Sequence, residues 1–406
     1  MAKGSKGNLD KNRVRISGYL FDESIRATGR RRDRVVVDLM ASMEKKQLSP
    51  HMSPSSLLAW ARDELPKGRF EGIPWFFLAM GKYFETIGNW NDAQEWYRLA
   101  IDRSGQEGYR GIYLDSVISL GHILAKKGVV KEARRLYKSA FSEAQDRKDH
   151  LNVMRVLGGM GALHFDEGRH GEARGCWRKA LQLSERIGEK WWTAHMLNDM
   201  GALYGANGSY GRALSSFKSA QVIYKSLGHD KGLARCLHNI AAVHLEAGQL
   251  DPAGSYFHLS QELADALCWE ELTVMNLLGR VEMMIQVSEY ESALSMGNEA
   301  LDKAVNLGDP FSQLEAKSLL FLIFHASGDR EGAFRLMEEC IARAKQLNGS
   351  YALARVLEAR VQLMLRDGDI SHAARDLERL KSLYSKMGLR AKAREAEVTC
   401  KKIRVS

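Results

Sequence analysis

The sequence predicts an all-α chain made of helix–turn–helix units repeated in tandem. Three observations carry that prediction: a forty-residue period of small residues, only 6 prolines in 406 residues, and apolar side chains at helical spacing between the turns. An all-β chain of many turns would need more proline. A fixed period of this length marks a repeat architecture.

The period runs without insertion or deletion. Steps of forty from Gly88 meet Gly128, Gly168, Gly208, Gly248, Ser288, Gly328 and Gly368. Five residues after each stands an alanine, from Ala93 through Ala133, Ala173, Ala213, Ala253, Ala293 and Ala333 to Ala373. Nine residues after come Tyr97, Tyr137, Trp177, Phe217 and Phe257, then Gly297, Met337 and Leu377. Seven residues before stand Gly81, Gly121, Gly161 and Gly201, then Ala241.

Along the chain, residues 1–21 read as a basic tail, polar and glycine-rich at its start and expected to be disordered. Residues 22–70 read as an N-terminal helical cap or small module. Asp22 to Gln47 is helical in pattern around the run Arg30-Arg31-Arg32-Asp33-Arg34, Pro50 and Pro54 close it, and Ser53–Ser56 cap a second helix from Leu57 to Leu65. The exposed end of a stacked array needs a cap. A helix-turn-helix DNA reader would want a tight glycine-containing join, whereas Leu48–Pro54 has two prolines and no glycine.

Residues 71–390 hold about eight repeats. In the fourth, Ala194, Leu197, Met200, Gly201 and Tyr204 share one helical stripe, Asn207-Gly208 supplies a turn, and Ala213, Phe217, Ala220, Ile223 and Tyr224 form the next stripe. Gly201 and Ala213 are expected where the paired helices approach most closely, with Phe217 filling the gap toward the neighbouring repeat. Pro252 and Pro310 fall at helix starts, where a missing N–H costs little. Residues 391–406 read as a basic C-terminal capping helix whose Lys401, Lys402 and Arg404 complement the helix dipole.

These small and aromatic positions resemble tetratricopeptide repeats, in the long forty-residue form of polarity adaptors, kinesin light chains, Rap-type regulators and MalT-like sensors. The resemblance covers roughly residues 71–400. Its last three repeats depart from the pattern at the aromatic position. It implies a right-handed α-solenoid whose first helices line a concave face, and a non-enzymatic interaction scaffold that captures a partner's peptide. It also implies an alternative: a signal-responsive regulator whose N-terminal module binds a response regulator or nucleic acid. Rap-like proteins can promote dephosphorylation of a partner.

Composition bounds the function. The formal charge is +9, yet residues 1–70 carry a net +7 and residues 381–406 a net +6, so the body between them is net −4. Five scattered cysteines with no C-x-x-C pair make neither a disulfide framework nor a zinc site. No stretch nears eighteen consecutive apolar residues, and no apolar run follows the charged N-terminus. A cytoplasmic chain is expected. There is no phosphate-binding glycine loop and no nucleophile elbow, so neither catalytic residue nor cofactor is expected. His164 and His244 fall in packing slots, and no histidine pair has metal-ligand spacing.

Offsets of three and four place residues on one helix face. Counting thirteen, ten and six residues back from each turn gives the stripe expected to line the groove. In repeats three to five it offers Arg155, His195, Asn198, Arg235 and His238, floored by Gly158, Ala162, Ala202 and Ala242. Trp191 begins the fourth such helix and is a candidate anchor. Two arginines suit carboxylates and asparagine suits a peptide amide. The expected ligand is an extended peptide bearing acidic residues or a free C-terminus.

Overall fold

The computed structural model describes residues 74–86, 88–106, 109–347 and 349–405. The expected tail and the N-terminal helical segment, 1–21 and 22–70, lie outside the described residues. The described residues form seventeen α-helices and no strand. They are α1 (Pro74–Thr86), α2 (Trp90–Gln106), α3 (Arg110–Lys126), α4 (Val130–Asp146), α5 (His150–Asp166) and α6 (His170–Ile187). Next come α7 (Lys190–Ala206), α8 (Tyr210–Leu227), α9 (Asp230–Glu246), α10 (Leu250–Ala266), α11 (Glu270–Gln286) and α12 (Tyr290–Leu307). The chain ends with α13 (Pro310–Ala326), α14 (Arg330–Gln346), α15 (Ser350–Arg366), α16 (Ile370–Met387) and α17 (Arg390–Val405). They fall into two compact units, Met1–Ile123 with Ala266–Trp269 and Leu124–Asp265 with Glu270–Ser406.

In the first unit, α1 packs on α2. Trp96 is fully buried, with Phe77 and Phe84 stacked on it at 5.9 and 6.5 Å. Gly81 lies under the Tyr97 ring, where a Cβ would come within 2.5 Å.

The second unit repeats this arrangement as a helical solenoid. A Cβ on Gly161 would meet the Trp177 indole at 2.3 Å, and one on Gly201 the Phe217 ring at 2.6 Å. The aromatic therefore seats on the glycine of its own pair and, as its spacing predicts, also fills the gap toward the neighbouring repeat: Trp177 shares a core cluster with Met196 and Met200, and Phe217 one with Ile240 and Val243. The contact is close enough for Trp177 Nε1 to donate to the Gly158 carbonyl at 3.2 Å. Where the pattern changes glycine to Ala241, the Phe257 ring turns instead to Gly279 of the following first helix, again at 2.3 Å.

The turns divide the chain more finely than the forty-residue period. Positive φ recurs at Gly168, Gly208, Gly248, Gly328 and Gly368 inside the pairs, and also at Gly188, Gly228, Gly308 and Gly388 between them. Ser288 and Lys148 take the same left-handed conformation, at φ 64° and 55°, without glycine's freedom. Aspartates cap several first turns. Asp149 accepts from the Asn152 N–H, and Asp309 accepts from Phe311 and Ser312 with Pro310 just inside the helix.

The core of this unit is largest toward its C-terminal end, where one apolar cluster runs from Val274 to Cys400. The unit also folds back on itself. Helices α5 and α15 pack together, although 200 positions apart in sequence. Phe165 lies 5.6 Å from Tyr351 between ring centroids, and the Gly168 turn sits so close to Met387 that a Cβ there would come within 2.5 Å. No described helix is long and apolar enough to cross a membrane.

Candidate ligand cavity

The stripe read from sequence does not stay on one surface. Asn198 and His238 are buried, at 3% and 8% exposure. Asn198 accepts from Asn239 Nδ2 at 3.1 Å, and His238 Nδ1 lies 2.8 Å from Asn276 Oδ1. Asn276 in turn donates to Ser260, and Ser260 to the Ala234 carbonyl. These are two separate sets of hydrogen bonds in the seams between consecutive repeats, and burial there pushes the His238 imidazole down to about 4.

The other four candidates stay half-buried. Trp191 stacks on His195 at 5.1 Å and donates from Nε1 to His229 Nε2 at 2.9 Å. His195 Nε2 lies 3.9 Å from Asp199, a carboxylate raised by burial and drawn back down by His195 and Arg235. Arg235 is 3.3 Å from Glu271, which Lys126 also holds at 2.7 Å. Burial pushes the Glu271 carboxyl up, but the two cations override it and keep it well below the usual range. Arg155 donates to Asn152 Oδ1 at 2.8 Å. His195 and Arg235 thus flank Asp199, Trp191 stacks on His195, Arg155 lies on α5, and Arg235 is already engaged by a carboxylate.

The open space lies elsewhere in the second unit. A cavity of about 610 Å³ is lined by the inner sides of α11, α13, α15 and α17, with the ends of α5 and α9. It presents six carboxylates, Asp166, Glu246, Glu282, Glu315, Glu358 and Glu395, against two cations, Arg355 and Lys392. Arg355 bonds Glu246 at 2.7 Å and Glu282 at 3.1 Å, with Glu358 at 3.7 Å. Lys392 is 7% exposed and faces Glu358 at 3.4 Å and Glu246 at 3.8 Å. Burial pulls its ammonium down, but those carboxylates win and hold it above its ordinary value.

Both cations are therefore used by Glu246, Glu282 and Glu358. Glu315 has no hydrogen bond or ion pair among the described residues, and its side chain is open to the cavity while protein surrounds it more widely. That enclosure, with Glu282, Asp309 and Glu246 outweighing Arg355, raises its carboxyl to about 6. Asp166 rises to about 7 through burial and the neighbouring Asp309 and Glu167. Two carboxyls poised to ionise near neutral pH face the cavity without a counter-charge. No group of three or more histidine, cysteine, aspartate or glutamate side chains among the described residues is placed to hold a metal ion.

The same offset register reaches half of these eight residues: thirteen back gives Glu315 and Arg355, ten back Glu358 and six back Glu282. The offsets do not mark Glu246, Lys392, Glu395 or Asp166; Asp166, at the end of α5, reaches the cavity because α5 packs on α15.

The model of the tetratricopeptide repeat family matches residues 152–226 and 192–266. The paired helices, glycine turns and buried aromatics of the second unit follow the same pattern, and the match places repeats of this family over residues 152–266. In fold it is similar to a Rap protein solved in complex with competence and sporulation factor, at 12% identity over 82% of this chain and 97% of that one, TM-score 0.56. It is equally similar to the Cut9–Hcn1 assembly of the APC/C, at 12% identity over 95% of this chain and 66% of that one, TM-score 0.56. No curated protein matches the chain.

Proposed function

We propose that this chain is a non-enzymatic interaction scaffold that captures an extended peptide segment of a partner, with a lysine or arginine of that peptide entering the cavity. The observation that carries this reading is the excess of carboxylates over cations around open space, with Glu315 and Asp166 lacking a counter-charge. A guanidinium or ammonium placed there gives these two raised carboxyls a counter-charge and charge-assisted hydrogen bonds. Tyr210, Tyr351 and Phe311 on the wall supply apolar and cation–π surface for the stem of that side chain. The structural likeness to a Rap protein holding a signalling factor supports ligand capture by a fold of this kind.

The acidic peptide expected from sequence loses part of its support, because Glu271 already engages Arg235. Trp191, His195, Arg155 and Arg235 are proposed to contact a further stretch of the same peptide, and Asn198 and His238 to hold those helices in register.

The test is fluorescence anisotropy with two extended nonapeptide pools identical except that one carries Arg or Lys where the other carries Glu or Asp. The basic pool should bind, and Glu315→Gln should weaken it about tenfold, as expected for one charge-assisted contact of 1.5 kcal/mol or so. Preference for the acidic pool, with Glu315→Gln without effect, would sink the cavity assignment. A loss in Arg155→Ala/Arg235→Ala reports the second stretch.

A further inference from the structure

Three outer helices of the second unit, α4, α6 and α8, carry an opposite charge, eleven basic residues against five acidic. Tyr137, Trp177 and Phe217 are buried core residues of α4, α6 and α8, and the residue after each is a cation: Lys138, Arg178 and Lys218. All three are exposed, and among the described residues no ion pair engages any of them. Arg135, Arg174 and Lys179 are exposed on the same helices. Helix α8 carries three basic residues and no acidic one, whereas the next outer helix, α10, carries Asp251, Glu262 and Asp265 and neither lysine nor arginine. The basic face therefore has a defined edge.

Beside the cations the helices are stripped to the main chain. Gly171 and Gly175 on α6 and Gly211 on α8 are exposed, and a Cβ built on any of them would meet nothing within 4 Å. They differ from Gly161 and Gly201, which lie under aromatic rings. Gly175 sits inside its helix, where glycine costs about 1 kcal/mol relative to alanine, and no contact within the chain requires it. Residues four apart share a helix face, so Gly171 and Gly175 form a shelf on which a second helix can approach backbone to backbone. Ser215 extends the shelf onto α8 at the same register.

From these two observations we infer that the outer face of α4, α6 and α8 docks an α-helix of a partner protein that presents carboxylates along one side and small residues beside them. Carboxylates answer Lys138, Arg178 and Lys218, and the small residues answer the shelf. A nucleic-acid backbone or an anionic bilayer would use the charge but has no use for the shelf. Nor do these three helices expose, among the described residues, any aromatic side chain on which a base could stack.

The test uses the full chain and a synthetic helix of roughly twenty residues, long enough to hold helical structure, with glutamates at i, i+4 and i+7 and alanines between. Anisotropy at low ionic strength should show binding, and Arg178→Glu/Lys218→Glu should weaken it about tenfold or more, since like charges are then juxtaposed. Gly175→Ala should raise the thermal midpoint, while Gly175→Leu should abolish binding with the helical spectrum unchanged. Glu315→Gln should bind the acidic helix as the parent does, which separates this face from the cavity. Equal binding by the charge-reversal variant overturns the proposal, as does equal binding by Gly175→Leu. So does tighter binding of a duplex oligonucleotide or of phosphatidylserine vesicles than of the helix.

Discussion

Arg360 donates from Nε and Nη2 to the two carboxylate oxygens of Asp376, at 2.6 and 2.7 Å, with only 11% and 5% of the two side chains exposed. Bidentate geometry at that depth offsets the cost of desolvating two charges, but only while both partners are present. Arg360→Ala leaves a buried carboxylate with Arg379 alone at 3.3 Å. The expected loss is about 3 kcal/mol, read as a lower urea midpoint, and Arg360→Met/Asp376→Leu should recover most of it. His170 is the converse case. Its ring stacks on Phe165 at 4.7 Å and is 2% exposed, and neither ring nitrogen has a well-aligned hydrogen-bond partner. Burial pushes its imidazole from 6.5 down to about 4. The unfolded chain therefore takes up this proton first, and the histidine's contribution is full above pH 6.5 and falls away toward pH 4. His170→Phe should stabilise the fold by about 1 kcal/mol at neutral pH, since it removes unsatisfied buried nitrogens. It should also flatten the acid limb of a thermal-midpoint profile.

At the level of helices and turns, the forty-residue register placed a turn at Ser288, and the chain there does adopt φ 64° without glycine. Left-handed backbone costs an ordinary residue about 1 kcal/mol or more. Ser288→Gly should raise the unfolding free energy by about 1 kcal/mol, checked by calorimetry, while Ser288→Val should lower it. The repeat itself was legible because glycine, alanine and aromatic positions are fixed by the contact between paired helices, a local matter. The second set of turns, Gly188, Gly228, Gly308 and Gly388, carries the same signal, but it is diluted where Lys148 and Cys268 replace glycine. The groove stripe was only half legible, for a geometric reason. Thirteen and six residues before a turn differ by seven positions, nearly two full helical turns, and so point the same way. The position ten back lies about 60° off that line. That rotation carries Asn198, His238, Leu278 and Ser318 into the seam, where all are buried, while Arg155, His195, Arg235, Glu315 and Arg355 keep access to solvent. Which carboxylate answers which arginine depends on contacts between distant repeats, and no single-repeat register encodes them.

Within the second unit, carboxylates crowd the cavity while Lys138, Arg178 and Lys218 stand exposed on α4, α6 and α8. The cavity makes a pH prediction with two opposite signs. Glu315 and Asp166 hold their protons to about 6 and 7 in the fold, against ordinary values of 4.5 and 3.8. Raised carboxyls contribute stability at low pH that is lost as pH climbs through those values. Unliganded protein should therefore lose stability from these two groups between about pH 4 and pH 7. Affinity for a basic peptide should rise over about pH 5 to 7.5 as the same groups ionise. Melting curves and anisotropy titrations over one buffer series check both, and Glu315→Gln should reduce both slopes.

The contact between α5 and α15 has a mechanical consequence. A stack whose repeats touch only their neighbours peels open pair by pair under a small pulling load. Within the second unit, unravelling the chain between residues 124 and 405 must break the contacts of Phe165 and His170 with Tyr351 and of the Gly168 turn with Met387. Single-molecule stretching should record one tall initial rupture followed by a train of smaller ones. Tyr351→Ala should erase the first and leave the rest.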